Sequence, residues 1–222
     1  MPKKAELDLI FLGDSKVGKT EFINGCVKTK RKTSHTTIAI EYLRTEIKYE
    51  EFTAKIRIRD TAGSAPLRSV LRDCYQGGSG AIIMFDITNR VSFLNIPKWL
   101  DELQAYAAED IEILLIGNKV DYEDERKVSR REASDFAARE GIPYMECSAA
   151  TETNVKETLH ILCSKILATM QSHVNDEISC GSGSDNESNS TKKTRSRPTN
   201  SIVLRARNHV PKKQSQTSCN CQ

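Results

Sequence analysis

The stretch that decides the fold is Gly13-Asp14-Ser15-Lys16-Val17-Gly18-Lys19-Thr20. It matches G-x-x-x-x-G-K-[ST], follows the apolar run Leu7–Leu12 and opens a helical stretch, as a phosphate-binding loop requires. Glycines let backbone N–H groups approach phosphate oxygens, and the helix N-terminus adds partial positive charge. We expect Lys19 to reach the β- and γ-phosphates and the Thr20 hydroxyl to bind Mg²⁺. The loop predicts a nucleoside triphosphate site without selecting the base.

Apolar patterns on both sides of this loop predict a mostly parallel α/β sheet. Strict alternation from Phe52 to Arg59 indicates a strand with one buried face, and continuous apolar runs indicate central strands covered on both faces. The other predicted strands are Leu7–Leu12, Ile38–Lys48, Ala81–Asp86, Ile111–Gly117 and Tyr144–Glu146. The predicted helices are Ser92–Ala105, Ser129–Arg139 with a capping box at Ser129 and Glu132 and a stop at Gly141, and a last helix lined by Val155, Leu159, Leu162 and Ile166. Strands that alternate with helices place ligands outside the carboxyl ends of the strands.

Composition divides the chain into two parts. The 222 residues carry 33 basic and 30 acidic side chains, a net charge of +3 that excludes a generally basic nucleic-acid binder. Residues 174–222 hold eight of the basic and four of the acidic side chains, so this tail is +4 and the remainder is −1. Its Ser-, Asn- and Gly-rich stretch 179–191 cannot bury enough apolar area to offset ordering entropy. We therefore predict a folded domain over 1–172 and a disordered basic tail over 173–222.

The cysteines indicate the redox compartment of the protein, and the apolar runs indicate whether it has a membrane span or a signal peptide. Seven cysteines, without disulfide-framework spacing or a Cys-x-x-Cys pair, favour a reducing cytosol and no structural zinc. Four of them, Cys26, Cys74, Cys147 and Cys163, are expected to pack as small hydrophobes. The sequence contains no run of about 18 apolar residues, so we predict no membrane-spanning helix. Its first apolar stretch is too short and too polar for a signal peptide.

Asn118-Lys119-Val120-Asp121 predicts the base. The tetrapeptide follows an apolar run, so it lies at the carboxyl end of a strand. A carboxylate can accept hydrogen bonds from both the N1–H and the exocyclic amine of guanine, and adenine offers no such pair of donors. A site left unpaired by the wrong base discriminates strongly. About 100 residues after the phosphate-binding loop, the tetrapeptide therefore favours guanine.

Asp60-Thr61-Ala62-Gly63 predicts the metal side of the same site. Asp60 ends the alternating strand and can hold Mg²⁺ directly or through water. Gly63 lets its N–H approach the γ-phosphate. Thr37, in the loop before the second strand, is the candidate second hydroxyl ligand.

Together with Thr37-Ile38 and Glu146-Cys147-Ser148-Ala149, these motifs resemble the Ras superfamily of small GTPases, and most closely its Rab family. The similarity covers about 6–168. It implies a three-layer P-loop NTPase fold, with a six-stranded, mostly parallel sheet and one antiparallel edge strand. It also implies a GTP-binding switch that hydrolyses GTP to GDP and phosphate in vesicle-mediated protein transport. Further support lies in Thr37–Tyr42, Tyr75–Gly80, Phe85–Thr88, Ser92-Phe93 with Trp99-Leu100, and Gly141–Tyr144.

The resemblance also implies the site residues and the partners. The nucleotide-binding residues would be Gly13, Ser15, Lys16, Val17, Gly18, Lys19, Thr20, Glu21, Thr37, Gly63, Asn118, Lys119, Asp121, Ser148 and Ala149, and Mg²⁺ would be held by Thr20, Thr37 and Asp60. Lys119 would pack along the guanine ring, and Ala149 would offer its N–H to the base oxygen. The implied partners are an exchange factor, a GTPase-activating protein, effectors, a prenyl transferase and a GDI-type chaperone, with no nucleic acid. A cytoplasmic monomer on the cytosolic face of an intracellular or plasma membrane is expected.

Several residues depart from the family pattern. Ser64 stands where the family has the glutamine that orients the attacking water, so no catalytic residue is assigned. Slow, activator-dependent hydrolysis is expected, and the alternative is a GTP-loaded scaffold that does not hydrolyse. The basic loop 28–32 replaces aromatic residues near the guanine and predicts either a solvated loop or weaker stacking with faster exchange. Arg59 and Ala39, in place of a tryptophan and a glycine, alter the surface that effectors contact.

The tail ends in Cys219-Asn220-Cys221-Gln222. As a C-a-a-X sequence it would place a prenyl group, farnesyl by its terminal Gln, on Cys219. As a Cys-x-Cys pair it would carry two geranylgeranyl groups on Cys219 and Cys221. Two unmodified cysteines are the third reading. With upstream lysines and arginines, one prenyl chain anchors reversibly to anionic leaflets and two hold more firmly.

Overall fold

The structure, a computed structural model, describes residues 3–27, 41–49, 52–61 and 75–179. The predictions for Thr37, Gly63 and Ser64, for the basic loop 28–32 and for the tail cysteines lie outside the described residues.

The described strands form one six-stranded sheet in the order β2-β3-β1-β4-β5-β6. Only β2 and β3 pair antiparallel, and β2 lies at the edge. The other neighbours pair in parallel. The sheet confirms the predicted α/β fold. The strands are β1 (Lys3–Leu12), β2 (Glu41–Lys48), β3 (Phe52–Asp60), β4 (Gly80–Asp86), β5 (Glu112–Asn118) and β6 (Tyr144–Cys147).

Helices cover both faces of the sheet, which explains the apolar runs of its centre. All seven residues of β4 are buried, as a strand between two helical layers must be. The cluster on one face includes Phe22 of α1 and Leu162 of α5, and the cluster on the other includes Trp99 of α3 and Ala133 of α4. The described helices are α1 (Lys19–Val27), α2 (Arg90–Leu94), α3 (Ile96–Tyr106), α4 (Arg130–Glu140) and α5 (Val155–Ser179).

Strand β1 begins earlier than its apolar run predicts. It pairs with β3 from Lys3 opposite Phe52 to Phe11 opposite Asp60. The backbone ladder therefore extends the strand through Lys3–Glu6, where the sequence shows no continuous apolar run. Glu6 is exposed on this strand, whereas Leu7 and Leu9 are buried.

The prediction of a single helix over Ser92–Ala105 is wrong, because the structure has two helices that meet at Asn95. The first part starts earlier, where the Asn89 side chain accepts a hydrogen bond from Val91 N and caps α2. Pro97 lies in the first turn of α3. Proline has no N–H for the preceding turn, so a helix restarts there more readily than it continues. The apolar periodicity spans both helices and conceals the break.

Both ends of α4 follow their sequence signals. Ser129 caps α4, accepting a hydrogen bond from Glu132 N at 3.1 Å, and Gly141 ends the helix at φ +69°. The last helix runs to Ser179, past residue 172, where its apolar pattern stops. No helix among the described residues is both long and apolar enough to cross a membrane.

The thiols behave as predicted where the structure describes them. Cys147 and Cys163 are buried, and Cys26 is partly buried against the same core. Burial raises the pKa of each thiol to about 12, so all three stay protonated and act as apolar side chains. Cys74 lies outside the described residues. Within the described ranges, no group of three or more His, Cys, Asp or Glu could hold a metal ion.

Candidate nucleotide site

The loop between β1 and α1 has a backbone that requires its two glycines. Gly13 lies at φ +134° and Gly18 at φ +99°. A Cβ on Gly13 would come within 2.1 Å of the Met84 carbonyl oxygen, and one on Gly18 within 2.2 Å of Asn118 Nδ2. Conformation and space therefore both exclude a side chain. The loop therefore closely approaches Met84 of β4 and the Asn118 side chain.

Lys19 folds back over its own loop. Its Nζ donates to the Gly13 carbonyl oxygen at 2.7 Å and to that of Asp14 at 2.8 Å, and the residue is 6% exposed. Burial lowers the pKa of this amine to about 8, although the charges of Asp60 and Asp14 act to raise it. A phosphate would restore the lost solvation of the ammonium. The amine is therefore held ready for an anion.

The rest of the loop lies between Asp14 and the start of α1. Ser15 and Lys16 form the turn, Lys16 is exposed at φ +65°, and Val17 is buried. Glu21 lies in the first turn of α1.

A hydrogen bond joins the side chains of Thr20 and Asp60. Thr20 Oγ1 donates to Asp60 Oδ2 at 2.7 Å, and Asp60 is 1% exposed at the end of β3. Thr61 Oγ1 donates to the Phe11 carbonyl oxygen at 2.5 Å and ties this strand end to β1. A hydroxyl and a carboxylate are hard oxygen donors of the kind that Mg²⁺ prefers beside phosphates. The residues present therefore fit Mg²⁺, with Thr37 outside the described residues.

One side chain, Asn118, joins three of the predicted segments. Its Nδ2 donates to the Val17 carbonyl oxygen at 2.8 Å, in the phosphate-binding loop. Its Oδ1 accepts from Ala149 N at 2.9 Å and from Cys147 Sγ at 3.5 Å. The Ala149 N–H, expected to face the base oxygen, thus donates to Asn118 here. Asn118 is only 1% exposed, and it contacts Val17, which is more than 100 positions away in sequence.

The residues expected around the base are also arranged by hydrogen bonds. Lys119 has φ +72°, and its Nζ lies 2.6 Å from Asp86 Oδ2. Asp121 Oδ1 accepts from Ser148 Oγ at 2.6 Å. Ser148 Oγ in turn accepts from Thr151 N at 3.1 Å. The side chains of the tetrapeptide 118–121 are therefore oriented by neighbours.

Sequence reasoning missed Asp86, which orients Lys119. Asp86 ends β4 and is 6% exposed. Its Oδ1 accepts from Thr88 N and Thr88 Oγ1 at 2.8 and 2.7 Å, which leaves Oδ2 facing Lys119. Its signal was present, because an acidic residue at the carboxyl end of a buried strand belongs to the ligand edge of the sheet.

Sequence reasoning also missed the charged network around Glu146. Arg126 Nη1 and Nη2 donate to Glu146 Oε1 and Oε2 at 3.0 and 3.1 Å, and Arg130 Nε donates to Oε2 at 3.1 Å. Tyr144 Oη donates to Oε1 at 2.6 Å. Burial pushes the pKa of Glu146 upward, but these hydrogen bonds hold it below its usual value. The network ties the turn Val120–Glu125, which carries Asp121, to β6.

Arg59 differs from the exposed position that strand alternation predicts. It is 7% exposed, Nη1 donates to the Gln76 carbonyl oxygen at 3.2 Å, and Nη2 donates to Asp8 Oδ2 at 3.3 Å. Arg57 also makes a bidentate ion pair with the same carboxylate. These contacts with Asp8 and Gln76 hold the Arg59 side chain against the protein, so it is buried.

Comparison with known proteins gives one consistent result. A sequence model of the Ras family matches residues 8–168. The Ras-related protein RABA4b of Arabidopsis thaliana is 37% identical over 163 residues, 73% of either chain. The Ras-related protein Rab-8B of Pongo abelii is 34% identical over 176 residues, 79% of this chain and 85% of the relative. The Ras-related protein Rab-27B of Bos taurus is 34% identical over 206 residues, 84% of this chain and 94% of the relative.

Proposed function

Because the chain belongs to the Ras family and is a Rab-like small GTPase, which hydrolyses GTP, we propose that its switch site is the one assembled around Asn118. The observation that carries the proposal is a pair of hydrogen bonds at Asn118, which donates to the Val17 carbonyl oxygen and accepts from the Ala149 N–H. They bring the phosphate-binding loop, the guanine tetrapeptide and the 146–149 segment to the same edge of the sheet. These segments could therefore contact the base and the phosphates of one bound nucleotide at the same time.

Each segment has a role in the proposed site. Lys19 and the loop N–H groups hold the phosphates, and Thr20, Asp60 and Thr37 hold Mg²⁺, which neutralises phosphate charge when bound. Asp121 accepts from the guanine donors and Lys119 packs along the ring. The other proposed nucleotide contacts are Gly13, Ser15, Lys16, Val17, Gly18, Glu21, Gly63, Asn118, Ser148 and Ala149.

Asp121→Asn tests the base site. An amide replaces one acceptor by a donor, so one of the two guanine donors loses its hydrogen-bond partner. We expect GTP affinity to fall at least about 100-fold, since unpaired polar groups in such a site discriminate strongly. Xanthosine triphosphate, which has a carbonyl in place of the exocyclic amine, should bind more tightly than before. Titration of fluorescent analogues measures both affinities.

Asp124→Asn is the matched control for this test. Asp124 is an exposed carboxylate of the same turn, Val120–Glu125, so the substitution makes the same change of charge. We expect it to leave GTP affinity within about twofold of wild type. Equal losses in the two variants would contradict the role proposed for Asp121.

We propose that hydrolysis is slow and depends on an activator, because Ser64 is too short to orient water as the family glutamine does. Single-turnover hydrolysis with Ser64→Gln should then exceed the wild-type rate, and an unchanged rate would contradict the proposal. The second candidate, a GTP-loaded scaffold, rests on the same residue. It predicts bound GTP in freshly purified protein and no phosphate release with a cell lysate added as a source of activator.

Regulators and effectors are the kinds of partner that such a switch uses, and we propose that the tail brings them to a membrane. The proposal is supported by the basic tail and its final cysteines, Cys219 and Cys221. It places the protein on the cytosolic face of an intracellular or plasma membrane in vesicle transport, handled as a monomer by a prenyl transferase and a GDI-type chaperone. Mass spectrometry of protein from eukaryotic cells should find prenyl groups, and their absence would contradict the anchor.

A further inference from the structure

An acidic side chain lies inside the phosphate-binding loop and faces away from it. Asp14 follows Gly13, where a carboxylate directed at a triphosphate would repel it. Instead Oδ2 accepts from Asn95 Nδ2 at 2.6 Å, and Oδ1 accepts from Trp99 Nε1 at 3.1 Å. Both carboxylate oxygens are thus turned to the junction of α2 and α3, more than 80 residues away in sequence.

The two donors are fixed by the fold. Trp99 is 1% exposed in the core cluster under α3, so its indole cannot follow a moving loop. Asn95 lies where α2 ends and α3 begins, and its side chain makes no capping bond to α3, a helix described in full. Its Oδ1 accepts from Lys98 Nζ at 2.7 Å, which orients the amide so that Nδ2 faces Asp14.

We propose that Asp14 is a positioning residue that tethers the phosphate-binding loop to the α2–α3 junction through Asn95 and Trp99. The tether acts in two ways. It holds the loop N–H groups in place before the nucleotide arrives, and it keeps a negative charge turned away from the phosphates. Hydrogen bonds to a charged group are the stronger kind, so the tether restrains the loop more than neutral contacts would. The inference rests on the proposed nucleotide site.

Nucleotide release tests the tether. In Asp14→Ala and in Asn95→Ala, we expect fluorescent GDP to leave about 10-fold faster than from wild type, a change of about 1.4 kcal/mol. The double variant should be no faster than the faster single one, because both substitutions break the same link. Asp14→Asn keeps one acceptor for Trp99 and should fall between Asp14→Ala and wild type. Additive effects in the double variant, or unchanged release in both single variants, would overturn the proposal.

Leu103→Ala is the matched control. Leu103 is 1% exposed on the same helix, packs in the same cluster and has no polar atom to offer the loop. We expect this variant to lose thermal stability while GDP release stays within about twofold of wild type. Faster release equal to that of Asn95→Ala would reduce the tether to general packing and overturn the inference.

Tryptophan fluorescence gives a second measurement of the Asp14–Trp99 contact, because Trp99 is the only tryptophan of the chain. We expect its emission to shift when EDTA strips nucleotide from the wild-type protein, and this shift to be lost in Asp14→Ala. The same shift in both proteins would contradict a link through Asp14. Wild-type protein that binds no guanine nucleotide would overturn the proposed function itself. Wild-type binding with all variants alike would overturn only the tether.

Discussion

Glu146→Gln should weaken both the fold and nucleotide retention, because Glu146 is the centre of a buried charged network. The substitution keeps the shape of the side chain and removes its charge. Its side chain is 4% exposed, and that of its partner Arg126 is 15% exposed. Two hydrogen bonds from Arg126 and one from Tyr144 converge on the carboxylate, whereas the second cation, Arg130, is 75% exposed.

The structure sets the size of the effect. Breaking a buried ion pair costs about 3–5 kcal/mol. Glutamine keeps one acceptor for Tyr144, and Arg126 keeps its ion pair with Glu123 at 2.6 Å, so the loss should be lower. We expect about 2–3 kcal/mol, because only part of the buried interaction is lost. At roughly 2–4 °C per kcal/mol for a domain of this size, Tm should fall by about 4–12 °C.

Thermal unfolding and fluorescent GDP release measure the two consequences. Glu132→Gln is the control, since it removes a bidentate ion pair with Arg90 whose side chains are 49% and 36% exposed. Exposed pairs contribute about 1 kcal/mol or less, so Tm should change little. Release should be faster only for Glu146→Gln, because this carboxylate holds the turn that carries Asp121. Equal Tm losses in the two variants would refute the reasoning from burial.

The stability difference between wild type and Glu146→Gln should also depend on pH, in a direction set by the pKa of Glu146. The pKa of Glu146 is lowered in the folded protein, so its ionised form contributes stability above the unfolded value of 4.5. That contribution is lost as pH falls below 4.5 through the folded pKa. The difference in unfolding free energy between wild type and Glu146→Gln, measured with urea, should therefore shrink as pH falls from 7 to 3.5. A constant difference would mean that charge is not its source.

Three further substitutions test the geometry of the site. Gly18→Ala places a Cβ 2.2 Å from Asn118 Nδ2 and should lower GDP affinity at least about 10-fold by titration, since Asn118 must move. Gly141→Ala meets no atom within 4 Å but keeps φ +69°, so urea unfolding should show a loss of about 1–2 kcal/mol with unchanged GDP affinity. Asp86→Asn removes the ion pair of Lys119 and should speed GDP release by about 10-fold in a fluorescence chase, with wild-type release as the contrary result.

Sequence patterns predicted the sheet well because the patterns and the fold depend on the same burial. The continuous apolar runs became β4 and β5, and the alternation from Phe52 became β3. Element ends were predicted less well, because backbone pairing and local dihedral angles decide them. Lys3 joins β1 through its pairing with β3, and Pro97 restarts a helix inside an unbroken apolar period.

The site could be predicted only as far as its motifs are local. Lys19, Thr20 and Asp121 stand in short patterns whose spacing is enough to predict a role for each. Asp14 and Trp99 are joined by a hydrogen bond across 85 positions, and neither position carries a pattern that names the other. Such long-range contacts follow from the fold, so they become visible only when the strands and helices are placed.

Asp14 nevertheless leaves a physical clue in the sequence. A carboxylate within a loop built to hold phosphates is unfavourable unless its charge is directed elsewhere, so its presence requires a donor outside the loop. Asn95 and Trp99 are those donors, and they lie at the helix break that apolar periodicity concealed. Asn95 and Trp99 are four positions apart, the spacing at which the side chains of a helix share one face, so both can donate to the same carboxylate.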